Sequence, residues 1–600
     1  MSLAVSCEEN TIINNLIQVK EKIIGQVQNK PKEMLIYCDD KDKSQSIVNF
    51  LHYQAFNELD TSLLDKQLIE LGLSSPKHWH TQLMFNIDQT LAFLNGDAPK
   101  TLLENESISL GPSAMSAQHT LTKNKNRFFS TKDSQRHTAI MVTLPAEAAW
   151  NEELLTDLLN QGMNCARIDC STHDKSIWRN MINHLNSAKK RTDKPCKLFM
   201  DLPAPTLRTI IQPSIHNCIS IKPEQHRHKA LPTPIVFYSE QSPPPVDNQH
   251  DIDYFIRVSS ETLQRFQVGD RLFFIDANNK KCFINMNEHT LDKHWIGLCW
   301  KKATLNKNTM IELQRTNQDD EYETLLKFNI DLIQMQPTTY KVQKKDCILL
   351  LHDTNSTPPF ENSINISCSS PEVINSLNVG QEIWFDEGKI GAYVEKLEEY
   401  GVKLRITHTK KNGSKLRTNR KINIPGAKLN KFIQEDASDI IEFSCQHADL
   451  VGISSIENRQ QLGTIIDELK NNNATHIGVI IKLARQITLN HIEEILESAL
   501  PHNDLAIMFD NNELLIELGA LKLAKLRTKV LPLFKSAHLP VVDSENLLGS
   551  LIKNGKTKRL DLYRTICRDE DCILLDQGPH LLPAVVTLDT AFKSLQKTSN

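Results

Sequence analysis

The sequence predicts an α/β chain built on a (β/α)8 TIM barrel, with a helical domain before it and a long β-rich domain inserted into it. Three observations carry that reading. From His137 to Arg208, short apolar runs alternate with amphipathic stretches, the mark of a parallel α/β unit. The rhythm stops, then resumes near Ala448, and the runs before and after the gap number three and five. The intervening segment is rich in Pro, Asn and Thr and contains only strand-like pieces. An open doubly wound sheet has the same rhythm, so periodicity leaves both architectures open.

Residues 1–125 read as a helical N-terminal domain and linker. "SIVNFLHYQAFNELDTSLLDKQLIELGLSS" carries apolar residues at helical spacing and stops at Gly72. "TQLMFNIDQTLAFLNG" is a further helix ending at Gly96, and the polar stretch Asn105–Ser134 reads as a loose linker. Residues 126–210 form the first part of the barrel, with "TAIMVT", "CARID" and "CKLFMD" as strands. Residues 211–424 form the inserted lid domain, with strands such as "DRLFFID", "HWIGLCW", "DCILLLH" and "VKLRITHT". Within it, "QVGDRLFF" and "NVGQEIWF" hint at a duplication. Residues 425–600 complete the barrel with "ADLVGI", "HIGVII", "LAIMF", "LPVVD" and "CILLD".

Composition narrows the function classes. A chain of 600 residues, 40% hydrophobic and 24% charged with a net charge of −4, is an ordinary multidomain globular chain. It lacks the basic excess expected of a nucleic-acid or membrane-surface binder. No apolar run reaches the roughly 18–20 residues of a spanning helix, and "MSLAVSCEENTII" lacks the features of a secretory signal. The 13 cysteines include no Cys-x-x-Cys pair, so they read as reduced core thiols of a cytoplasmic protein.

In a barrel, chemistry gathers at the C-terminal ends of the strands. There the sequence places Arg167, Asp169, Asp201, Lys482 and the stretch Asp510–Glu513. Two cations with several carboxylates on one rim suit a phosphate and metal site.

The motifs "GMNCARIDCS", "MDLPAPTLRT", "FDEGKIG", "KINIPG", "ADLVGIS", "IKLA" and "DCILLDQGP" occur in the order found in pyruvate kinases. The resemblance covers roughly 136–210 and 375–595, and is greatest to the long bacterial and plant branch that lacks the usual C-terminal domain. It implies a glycolytic phosphotransferase that moves the phosphoryl group of phosphoenolpyruvate to ADP, giving pyruvate and ATP, with Mg²⁺ and K⁺ as cofactors and homo-oligomer formation. By resemblance, Lys482 faces the moving phosphoryl group and Arg167 holds it. Arg208, Asn512 and Glu545 fall at substrate- and nucleotide-binding positions. Glu513 matches a Mg²⁺ ligand, and Asp169, Ser171 and Asp201 match the K⁺ site.

The pattern is broken in places. The family's metal-binding glutamate two residues after the lysine is Ala484 here, and its glycine-aspartate turn is Asn512-Glu513. A threonine after the seventh strand is matched by Glu545, and the usual histidine by Thr172. Two outcomes follow: a working phosphotransferase with a rebuilt metal site, or a pseudoenzyme that binds a phosphorylated metabolite or serves as a scaffold.

Overall fold

The computed structural model describes the chain apart from residues 1–6, 28, 29, 36, 37, 39, 98–110, 131–135, 205, 212, 213, 217, 222–224, 227, 228, 231, 240, 242–253, 290–293, 307, 308, 318–320, 331–333, 337, 338, 353–363, 427–436, 503, 545–547, 568, 569 and 600. The chain divides into two compact units, Met1–Pro205 with Asn430–Asn600, and Thr206–Leu429.

The first unit contains a closed parallel barrel. Its strands are β1 (Ala139–Thr143), β2 (Cys165–Asp169), β3 (Lys197–Asp201), β4 (Leu450–Ser454), β5 (Gly478–Leu483), β6 (Leu505–Phe509), β7 (Val541–Asp543) and β8 (Cys572–Leu575). Each pairs with the next, and β8 pairs with β1 through Ala139–Cys572 and Ile140–Ile573, so the sheet closes and the open doubly wound alternative is excluded. Alternation along the strands sorts the side chains. Met141, Cys165, Phe199, Ile480, Met508 and Val542 share the interior cluster, whereas Val142, Ile168, Met200, Ile481, Phe509 and Val541 join the layer under the helices. Positions in phase with the interior set therefore turn inward at the C-terminal rim as well.

Helices Lys41–Asn57, Ser62–Glu70 and Leu83–Leu94 precede the barrel. Asp40 caps the first by accepting from the backbone N–H groups of Asp42 and Lys43. Part of the stretch expected to be a loose linker is instead helical, over Ala114–Phe129, with Ser113 as N-cap and Ser130 left-handed at φ 50°. Tertiary burial overrides the polar composition here. Phe128 and Phe129 are buried among Ala139, Met141 and Cys165 inside the barrel. A Cβ on Gly478 would sit 3.0 Å from the Phe128 ring, so the close approach depends on glycine. Every cysteine with a described side chain is a free thiol, and burial pushes those of Cys165 and Cys170 well up, as expected of core residues. Among the described residues no helix is long and apolar enough to cross a membrane.

Asn49 and His538 tie the N-terminal helices to the barrel. Asn49 Nδ2 donates to the carbonyl of Ser536 at 2.8 Å, and the His538 ring meets Ser46 Oγ and the Thr81 carbonyl, both at 2.8 Å. Burial lowers the pKa of His538, and likewise of His52, from 6.5 to about 4. The folded state then binds fewer protons than the unfolded chain. The stability this confers is complete above pH 6.5 and lost as the pH falls towards 4. On the order of 3 kcal/mol per histidine is at stake. Thermal melts between pH 7 and 4.5 are expected to fall steeply for the wild type and less steeply for His538→Asn; parallel curves would refute the assignment.

The second unit, described by itself, contains a seven-stranded sheet and a closed seven-stranded barrel. Leu272, Phe274, Ile284 and Ile311 lie in the core of the first, and Ile383, Phe385, Ile390 and Val394 in that of the second. The hinted duplication has a structural counterpart that occurs three times. Gly269, Lys345 and Gly380 all have positive φ (93°, 78° and 87°). Their N–H groups donate to the carbonyls of Met286, Ile406 and Val394 at 2.8–2.9 Å. The N–H of each next residue closes a turn onto Gln267, Gln343 or Asn378 at 3.1 Å. Lysine in the glycine's place explains why the middle copy escaped sequence inspection.

Candidate functional site

The inward phase of β1, β2, β3 and β5 delivers Thr143, Arg167, Asp201 and Lys482 to one rim. Arg167 follows interior Cys165 by two residues, Asp201 follows Phe199, and Lys482 follows Ile480. These side chains meet on a single oxygen. Asp201 Oδ2 accepts from Arg167 Nε at 2.9 Å, from Arg167 Nη2 at 2.6 Å and from Lys482 Nζ at 2.8 Å. Arg167 Nη1 donates to Thr143 Oγ1 at 2.9 Å, and Nη2 also reaches Asp169 Oδ2 at 3.3 Å. Asp169 Oδ1 accepts from the Ser171 amide at 3.0 Å and from its hydroxyl at 2.7 Å. Gly452 on β4 makes room for the carboxylate, since a Cβ there would stand 2.5 Å from Phe199 and 2.8 Å from Asp201 Oδ1.

Electrostatics follow from the packing. Burial alone would lower the pKa of both cations, yet the Asp201 charge overcomes it, so Arg167 and Lys482 are held above their ordinary values and stay protonated. Burial would raise Asp169, but Arg167 and the Ser171 hydrogen bonds overcome it and hold the carboxyl at about 2. The side chains of Arg167 and Lys482 are each 12% exposed, and that of Asp201 is 2% exposed. A guanidinium has five N–H groups and an ammonium three. Arg167 engages four and Lys482 one, which leaves one N–H on the first and two on the second without an acceptor among the described residues.

The structure thus brings Arg167, Lys482, Asp169, Ser171 and Asp201 together. Asn512 and Glu513 lie in the first turn of the helix Asn511–Ser536, directly after β6; Asn512 is exposed, and the Glu513 amide donates to Asp510 Oδ1 at 3.3 Å. Arg208 belongs to the inserted unit, where its Nη1 donates to the Asn419 carbonyl at 3.2 Å. Glu545 lies outside the described residues. Two participants were not singled out from sequence: Thr143, which orients Arg167, and Asp576, whose charge acts on Arg167. The signal for both was their position at a strand end, the last residue of β1 and the residue after β8.

The donor set separates the two expected metals. Asp201 Oδ1 is buried without a hydrogen-bond partner, and it lies beside the Asp169–Ser171 turn; these oxygens suit a monovalent cation. A divalent ion fares worse. Ala484 offers no oxygen, and among the described residues no group of three His, Cys, Asp or Glu side chains is placed to hold a metal.

Fold and rim define a class: a (β/α)8 barrel with an inserted β-rich unit and a paired-cation site at the C-terminal ends of its strands. Residues 329–578 match the family model described as pyruvate kinase, barrel domain. The chain is 25% identical over 232 residues to the pyruvate kinase of Geobacillus stearothermophilus, covering 37% of this chain and 38% of that one. It is 23% identical over 238 residues to that of Mycoplasma pneumoniae, covering 38% and 46%. A crystal structure of a pyruvate kinase from Cryptosporidium parvum aligns at a TM-score of 0.48 and 16% identity over 78% of this chain and 70% of that one. The chain spans less than half the length of these two curated relatives. The family model and the curated relatives make this chain similar to pyruvate kinases over that stretch.

Proposed function

We propose that the rim binds the phosphoryl group of phosphoenolpyruvate and passes it to ADP, as in pyruvate kinases. The observation that carries this reading is the uncommitted donor set, one N–H on Arg167 and two on Lys482, projecting from two buried and permanently charged groups. Three such donors match the three terminal oxygens of a phosphoryl group. Arg167, fixed by Thr143 and Asp201, orients that group. Lys482 supplies a point charge where negative charge spreads in a metaphosphate-like transition state. Asp201, with Asp169 and Ser171, would hold K⁺, whose charge offsets that of the bound anion. By the resemblance, Arg208, Asn512 and Glu545 match nucleotide- and substrate-binding positions of the family. Free thiols at the cysteines with described side chains suit the cytoplasm.

Ala484 favours a second reading, binding without turnover. Pyruvate formation from phosphoenolpyruvate, ADP, Mg²⁺ and K⁺ separates the two. Lys482→Ala is expected to lower the rate by roughly 10²–10³-fold, as loss of one transition-state donor does. It should also abolish the rise in melting temperature that phosphoenolpyruvate causes. Wild-type turnover no higher than that of the variant, with the thermal shift intact, establishes the binding-only reading.

A further inference from the structure

We propose that anion binding at this rim is independent of divalent metal, which distinguishes the chain from a site built around bound Mg²⁺. The inference rests on the anion site proposed above and concerns how that site balances charge. Magnesium keeps an octahedral shell and is recruited by one or two protein carboxylates plus substrate oxygens. Position 484, two residues beyond Lys482, presents only a methyl group, 9% exposed at the end of β5. The nearby carboxylate of Asp510 is committed otherwise: its Oδ1 caps the following helix through the Glu513 amide, and its charge acts on Lys482. The Asp169 carboxylate accepts from Ser171 and Arg167, and Asp201 Oδ2 from Arg167 and Lys482.

Cations, by contrast, are plentiful. Arg167 and Lys482 keep their charge despite burial, and Arg485, directly after Ala484, brings a further guanidinium to the rim, 3.7 Å from Glu457. A phosphate ester entering here meets the remaining N–H groups of Arg167 and Lys482 directly, without a bridging ion. The ligand class is therefore a monophosphorylated acid or inorganic phosphate held directly by ammonium and guanidinium groups. Nucleotide polyphosphates, which ordinarily arrive with Mg²⁺, gain less.

Thermal-shift titrations of the full chain with phosphoenolpyruvate, and separately with inorganic phosphate, test this in K⁺ buffer with EDTA and again with excess Mg²⁺. Midpoints are expected to agree within about twofold between the two conditions. Restoring a carboxylate with Ala484→Glu is expected to make binding Mg²⁺-dependent by about tenfold or more. A wild-type affinity that rises about tenfold on adding Mg²⁺ overturns the inference while leaving the anion site standing. So does a folded Ala484→Glu variant that stays indifferent to metal. If that variant does not fold, the wild-type comparison decides alone. No shift with either probe in either condition, and none lost in Lys482→Ala, sinks the anion site itself.

Discussion

Replacing Asp201 by alanine is expected to cost the barrel about 3–5 kcal/mol, because it strands two buried cations that share one carboxylate. The carboxylate is 2% exposed, and among the described residues neither Arg167 nor Lys482 has another carboxylate at comparable distance; the next for Arg167 is Asp169 at 3.3 Å. Mutual repulsion then adds to desolvation, and the Lys482 pKa should fall, since burial pulls it down and the Asp201 charge is the first of those that pull it up. Urea denaturation followed by Trp178, which packs on Phe443 in the barrel's helical layer, reports the barrel transition. Asp201→Asn, which keeps shape and loses charge, should behave nearly as badly. Variants within about 1 kcal/mol of wild type would show that the shared carboxylate stabilises little.

Arg527→Met is the second large effect, at about 3 kcal/mol or more. The helix that carries Asn512 and Glu513 is broken at Gly519 (φ 71°, ψ 162°), and Arg527 lies beyond the break. Its guanidinium reaches back to Asn511 Oδ1 at 3.0 Å, bonds Asp543 Oδ2 at 3.2 Å, pairs with Glu570 and lies 4.5 Å over the Phe509 ring. Asn511 in turn donates to Asp543 Oδ1 at 2.6 Å. One side chain thus serves two buried carboxylates and fixes the first turn after β6. Denaturation at pH 7 should show the loss, because two buried carboxylates are left without their guanidinium. Hydrogen exchange should rise selectively over 511–518. A deficit below about 1 kcal/mol contradicts the charge argument.

How much of this was legible in advance depends on how local each signal is. Every barrel strand could be read, since each is a short apolar run bounded by polar or turn residues, and Arg167, Asp201 and Lys482 could be placed at the C-terminal ends of these runs. The helix Ala114–Phe129 was not legible. Its sequence is polar, and only burial of Phe128 and Phe129 inside the barrel makes it worth forming. Asp543 and Arg527 escaped as well. Asp543 ends an apolar run like other rim carboxylates, but its phase, opposite to Val542, turns it outward to Arg527 and Asn511, 16 and 32 residues upstream, and no periodicity announces partners so far away. Asp201 was expected as a cation ligand. One of its oxygens stays open to that role, while the other binds Arg167 and Lys482 together.

The sequence by itself determined the element types, the eight-strand rhythm with its insertion, and which residues stand at the strand ends, because these follow from periodicities a few residues long. Only the tertiary structure decided that the sheet closes, that three strands direct their charges onto one oxygen, and which donors are left over for a ligand. Closure joins residues as far apart as Ala139 and Cys572, and charge pairing joins Asp201 to Lys482 across 281 positions; such contacts arise from geometry that no local pattern encodes.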